Sequence, residues 1–177
     1  MRVYTLSLYQ PWASLIAVGA KRVETRSWPT HYRGLLAIHA TQRSPKADLA
    51  RATQEPVASA LRAAGYTGPD QLPHGAVVAL CRLVDCTAIV EPPPSPERDF
   101  GDYRRGRYAW RLDQVWALPV PLPAHGHQRL WRCEVPAALV DAWQRDCGLP
   151  DAPPAAASAA TLPAGVPESP SVVPVRR

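Results

Sequence analysis

Residues 3–26 run Val3-Tyr4-Thr5-Leu6-Ser7-Leu8-Tyr9-Gln10-Pro11-Trp12-Ala13-Ser14-Leu15-Ile16-Ala17-Val18-Gly19-Ala20-Lys21-Arg22-Val23-Glu24-Thr25-Arg26. Val3–Leu8 is short and rich in β-formers, so it reads as a strand. Gln10-Pro11 then opens a helix, because proline suits a first turn, where the N–H it lacks would have had no partner. Trp12, Leu15, Ile16 and Gly19 come next at helical spacing, and Gly19 is a natural stop. The predicted helix is barely more than two turns long. Arg22–Ser27 reads as a second strand.

Beyond this stretch, a loop containing Pro29 leads to Gly34-Leu35-Leu36-Ala37-Ile38-His39-Ala40, a third strand. Residues 46–65 are rich in Ala, Leu and Arg and read as helix, with Pro56 dividing them into two pieces. From Ala76 to Val90 the chain is almost continuously apolar, as in a strand buried on both faces. A proline-rich loop, Glu91–Pro96, continues through Asp99–Arg107. Tyr108, Trp110 and Leu112 then alternate with Ala109, Arg111 and Asp113, the period of a half-buried strand. Pro119, Pro121 and Pro123 restrict the next stretch to edge or turn geometry. Arg129–Glu134 is a last strand, and Leu139, Val140, Trp143 and Cys147 form the stripe of a helix between Pro136 and Gly148. Strands outnumber helices and no βαβ alternation is sustained. The fold class expected is α+β: a small mixed-to-antiparallel barrel with flanking helices.

The chain has 177 residues, 46% hydrophobic and 20% charged, with a net charge of +5. That length suits one domain with a single core and argues against a separate cofactor-binding half. Composition changes near Pro150: residues 151–177 hold six prolines, seven alanines, two acids and two bases. Too few bulky apolar groups remain there to offset the entropy of ordering, so residues 151–177 are expected to be a disordered tail behind a domain at 1–150. The tail is neutral, which leaves the whole positive balance on the body. Apart from Lys21 and Lys46 every basic residue is Arg, a bias that GC-rich codons explain as readily as nucleic-acid binding. No apolar run approaches the ~20 residues that span a bilayer, and the N-terminus lacks the layout of a signal peptide. A cytoplasmic protein with no membrane partner is the expectation. Cys81, Cys86, Cys133 and Cys147 form no Cys-x-x-Cys pair and are expected to be buried, reduced thiols.

The densest polar cluster is Gly19-Ala20-Lys21-Arg22-Val23-Glu24-Thr25-Arg26. Strand alternation places Glu24 and Arg26 on one face with Arg22, while Lys21 lies at the bend and can swing to either side. A lysine, a carboxylate and an arginine converging there can neutralise one another and still offer directional donors to an anion or a base. The bland alternative is a solvated charge run along an edge strand.

Together with Leu6–Leu15, this Gly19-x-Lys21-x-x-Glu24-x-Arg26 signature resembles the ASCH domains of the PUA-like superfamily. Tyr32-Arg33-Gly34 leading into Ile38-His39-Ala40 extends the likeness, as do Gly75–Val78, Phe100–Tyr103, Tyr108-Ala109-Trp110 and Leu130-Trp131, which look like later strands of the bacterial branch. The resemblance spans roughly residues 3–133. It implies a small PUA-like β-barrel with flanking helices, a cleft floored by the signature, and a link to RNA metabolism. One bacterial relative deacetylates N4-acetylcytidine with a Lys, a Thr and a Glu. Its lysine corresponds to Lys21, but its threonine position is Glu24 here, so that nucleophile is absent and Thr25 faces the other way. The chain is closer to the Glu-bearing branch, which includes the ASCH domain of a eukaryotic transcription coactivator.

Three functions suit these residues. In the first, RNA or a modified nucleoside binds in the cleft, with DNA an alternative polymer. Lys21 and Arg26 hold a phosphate or a base carbonyl, Glu24 accepts from an exocyclic amine, Trp12 or Tyr9 supplies a stacking face, and Gln10 and Arg33 form a polar rim. In the second, the same cleft is an amidohydrolase or ribonuclease: Glu24 is the general base, Lys21 or Arg26 stabilises the oxyanion, and His39 is a supplementary acid or base. The third is an adaptor that meets a protein partner along the sheet edge. Trp12 and His39 also have purely structural readings, as core aromatic and satisfied strand histidine. Arg104, Arg105, Arg107, Arg111, Arg129 and Arg132 are candidates for a basic rim. His125-Gly126-His127 lacks further ligands in sequence, so no metal is expected. No phosphate-binding glycine loop occurs, so no cofactor is expected either. Ser7 and Ser14 have no His-Asp partner nearby in sequence and no elbow glycines around them.

Overall fold

The computed structural model describes residues 1–149. The tail expected at 151–177 lies outside the described residues. In chain order the elements are β1 (Arg2–Leu8), α1 (Trp12–Ala17), β2 (Val23–Arg26), β3 (Gly34–Ala40), α2 (Lys46–Arg51), α3 (Val57–Ala63), β4 (Ala76–Ala88), β5 (Tyr108–Pro123), β6 (Leu130–Glu134) and α4 (Ala137–Asp146). Six strands form one mixed sheet, a half-barrel ordered β2-β5-β4-β3-β1-β6. Only β1 and β3 run parallel, with Ser7 opposite His39 and Leu8 opposite Ala40. Every other neighbouring pair is antiparallel.

Both faces of the central strands are covered, which is why β3 and β4 carry apolar residues at consecutive positions. On one face Leu6, Leu36, Ile38 and Leu83 pack with Ala13 and Ile16 of α1 and the fully buried Trp110. On the other, Val3, Ala37, Val77 and Leu80 meet Val140 and Trp143 of α4. A third cluster joins Leu15 of α1 to Val57 and Leu61 of α3 and to Phe100. Full burial of Leu15 and Ile16 contributes ~1.5–3 kcal/mol each, enough to hold a helix too short to persist alone.

Pro56 separates α2 from α3, as the sequence requires. Pro11 and Pro136 stand at the N-caps of α1 and α4. The three prolines of β5 do not end that strand. It continues to Pro123 because β2 covers only Tyr108–Arg111, so the later half lies on an open edge where proline is tolerated. Cys81, Cys86, Cys133 and Cys147 are free thiols, and burial pushes the Cys81 thiol up. Among the described residues, no helix is long and apolar enough to cross a membrane.

Candidate functional site

β2 is short, lies at the sheet edge and carries the polar cluster, so its charges converge beside the turn after α1. Lys21 swings inward. It is 1% exposed, and its Nζ donates to Val23 O at 2.6 Å and Phe100 O at 2.7 Å while lying 3.4 Å from Glu24 Oε2. Two carbonyls thus take two of its protons, and the carboxylate forms an ion pair with the same ammonium. Lys21 therefore ties β2 to the 97–103 segment. These oxygens are what burial demands, because an ammonium buried without them would be too costly to keep charged, and Lys21 still borders the smaller of the cavities described below.

Glu24 is nearly buried, with Oε2 on Lys21 and Oε1 3.2 Å from Arg26 Nε. That Arg26 contact is an ion pair whose angle falls outside hydrogen-bond geometry. Arg26 Nη2 donates to Ser7 O at 2.9 Å, fastening the strand to β1. Glu97 completes the support, accepting from Arg22 N, Val23 N and the Tyr103 hydroxyl. The 97–107 segment thus satisfies the outer edge of β2, with Asp102 N donating to Thr25 Oγ1 and Arg107 Nη2 to Thr25 O. Thr25 is buried on the side of β2 away from Glu24, as alternation requires.

Two cavities flank this strand and share Trp12, Glu24 and Arg26 as a common wall. The smaller, about 440 Å³, lies towards Lys21, Asp48, Arg51 and Arg107. The larger, about 870 Å³, is bounded by Ser7, Tyr9, Trp28, His39 and the His125–Arg129 segment. Trp28 is held edge-on to Trp110, ring centroids 4.6 Å apart, and the Arg129 guanidinium lies 5.8 Å over its ring. Tyr9 is 48% exposed at the rim. The larger cleft therefore presents aromatic faces, two guanidinium groups and one nearly buried carboxylate.

Beneath it sits His39, with no exposed surface. His39 Nε2 is 3.1 Å from Ala124 O and Nδ1 is 3.2 Å from Ser7 Oγ, to which Trp131 Nε1 donates at 3.0 Å. A carbonyl only accepts, so Nε2 carries the proton and Nδ1 is the acceptor. Burial holds the imidazole below its ordinary pKa, the Ala124 bond opposes this, and His127 adds to the lowering.

Other expected site residues lie elsewhere or face inward. Gln10 is fully buried, donating to Pro73 O while its Oε1 accepts from Ser14 N; it caps α1 and cannot form a rim. Arg33 donates to Thr30 O and Tyr32 O and pairs with Asp85, and it borders neither cavity. Its neighbours on β4 draw it to the opposite end of the sheet. Trp12 combines both readings, packing against the third core cluster, donating its indole N–H to Asp48 and showing a face to both cavities. Of the candidate basic rim, Arg129 borders the larger cleft and Arg107 the smaller, while Arg104 is paired with Asp102 and Arg132 lies 4.0 Å over the Tyr4 ring. Among the described residues no group of three or more His, Cys, Asp or Glu gathers as a metal site. Glu97 and Asp48 do not stand out in the sequence, because isolated acids in Pro-rich or helical stretches carry no pattern.

The described residues thus form a half-barrel with a charged edge strand between two clefts. The chain belongs to the ASCH domain family, which matches residues 6–110. It is 30% identical over 136 residues to human Activating signal cointegrator 1 and, to the same extent, to the mouse protein. The match covers 74% of this chain and 22% of each relative, so the chain spans about a fifth of the curated relatives' length. A crystal structure of a mutant ASCH protein from Zymomonas mobilis is 15% identical, covers 74% of this chain and 89% of that one, and superposes with a TM-score of 0.43.

Proposed function

We propose that the larger cleft binds RNA or a modified nucleoside. The observation that carries this reading is the convergence, around about 870 Å³, of Arg26 and Arg129 with the aromatic faces of Tyr9, Trp12 and Trp28 beside the Glu24 carboxylate. The volume falls in the ~300–1,000 Å³ range of small-ligand sites. Arginine provides phosphate contacts, an aromatic face provides ~1–3 kcal/mol per stacked base, and a carboxylate accepts from an exocyclic amine. Glu24 in place of the family threonine supports assignment to the Glu-bearing branch. It also weighs against hydrolysis by the Lys-Thr-Glu route, as does the engagement of Lys21 by two backbone carbonyls and Glu24. Glu24, fixed between two cations, is suited to holding a donor more than to taking a proton.

Titration of tryptophan fluorescence with short single-stranded RNA and with free nucleosides tests the reading. Binding that quenches fluorescence, weakens with salt and is lost in Arg26→Ala supports it. Absence of binding at millimolar ligand and low salt would overturn it.

A further inference from the structure

One constellation in the larger cleft is not used by the nucleic-acid reading. Ser7 and His39 are 32 residues apart in sequence and directly opposed in the parallel β1–β3 pair. With the His39 proton held on Nε2 by Ala124 O, the Nδ1 lone pair points at Ser7, and the hydroxyl donates to it. Trp131 Nε1 fills one lone pair of Ser7 Oγ, which leaves the other unoccupied. The Trp131 ring also stands edge-on to the imidazole, centroids 5.5 Å apart, and fixes its plane. Ser7 is half-buried and lines the cleft, while its base has no exposed surface. His127, on the segment after β5, is the titratable side chain that acts on His39; Val77, its register partner on β4, cannot titrate. Burial and His127 both favour the neutral, basic imidazole at neutral pH.

We propose that Ser7 and His39 form a nucleophile–base dyad that accepts the acyl group of a carboxylic ester bound in the larger cleft. A nucleophile within hydrogen-bond reach of a base, itself oriented by a third group, is the arrangement such chemistry needs. Here the orienting group is the Ala124 carbonyl. Ser7 Oγ attacks the ester carbonyl carbon while its proton passes to His39 Nδ1. Collapse of the tetrahedral intermediate breaks the bond to the alkoxy oxygen, which leaves as the alcohol with the proton from His39. Water then hydrolyses the acyl-serine by the reverse proton path, releasing the carboxylic acid and restoring the hydroxyl. The oxyanion falls to Arg26, which borders the same cleft and is tied to the Ser7 carbonyl through Nη2. The Trp12 and Trp28 faces suit an apolar or aromatic ester.

The test is covalent labelling with an alkyl fluorophosphonate, read by intact mass and peptide mapping on the full chain. The expected result is one adduct on Ser7, lost in Ser7→Ala and slowed at least ~100-fold in His39→Gln. Because the buried His39 substitution could prevent folding, the wild-type labelling rate is also tracked against pH. It should rise to a plateau through one ionisation below 6.5, the ordinary histidine value. No Ser7 adduct on natively folded protein, or a rate that climbs with hydroxide without a plateau, overturns the dyad. RNA affinity measured on the same preparation separates this outcome from failure of the nucleic-acid reading.

Discussion

Lys21 Nζ donates to the carbonyl oxygen of Phe100, 79 residues further along the chain, at 2.7 Å. The bond joins the turn before an edge strand to the 97–107 segment, which Glu97, Asp102 and Arg107 also fasten to that strand. The residue that stands out most in the sequence as a ligand donor is thereby a cross-link.

Lys21→Met should therefore cost about 3–5 kcal/mol, the penalty for removing one partner of a buried pair. Urea unfolding measures the loss, and amide exchange should quicken across 97–103. A loss below ~1 kcal/mol, the size of an exposed pair, would show that Nζ does not hold these buried contacts in solution.

Arg129 and Arg33 make a matched comparison, since both are exposed arginines and only Arg129 borders the larger cleft. Arg129→Ala should weaken RNA binding and reduce the salt slope by about 1. Arg33→Ala should leave both unchanged. Equal effects would mean that binding depends on overall charge and not on the cleft.

Gly126 lies against the dyad: a Cβ there would come within 2.5 Å of His39 Cε1 and 3.0 Å of Ser7 Oγ. The imidazole is packed and cannot retreat, so Gly126→Ala should destabilise the fold by ~1–3 kcal/mol, as overpacking does. A thermal melt reads this, and an unchanged midpoint would indicate that the His125–Arg129 segment stands off from the sheet.

Acid should weaken the fold through His39. Burial lowers its pKa on folding, so between the folded value and 6.5 the unfolded chain binds more protons and stability rises with pH. The contribution is complete above 6.5 and is lost as pH falls towards the folded value. Denaturant midpoints from pH 7.5 to 5 should decline, and the decline should shrink in His39→Gln. Identical slopes in the two proteins would place the effect on other groups.

The strands and helices are legible in the sequence because local signals coincide. Pro11 and Gly19 bracket α1, Pro56 divides two helices, and unbroken apolar runs mark strands covered on both faces. The site is less so. Glu24 and Arg26 share a face by simple alternation, whereas the inward swing of Lys21 depends on Phe100 and the burial of Gln10 on Pro73, contacts far away in sequence. Ser7 lacks a partner until β1 and β3 align in parallel. The resemblance to one bacterial deacetylase draws attention to Lys21, which borders the smaller cavity and not the larger.

The open half of β5 bears on how copies of the chain meet. Ala124 N–H donates back to Gly75 O, so the neighbouring position, Pro123, faces away from β4, while Pro119 and Pro121 lie where the β4–β5 register breaks between Ala117 and Leu122. Val120, 74% exposed, lies among them. An incoming strand would find an apolar foothold there, but three prolines in five residues, none with an N–H to donate, on a stretch whose pairing is already irregular. The prolines thus act against edge-to-edge aggregation, and replacing them with valine should yield a chain that forms fibres on concentration, where light scattering of the unaltered chain stays flat.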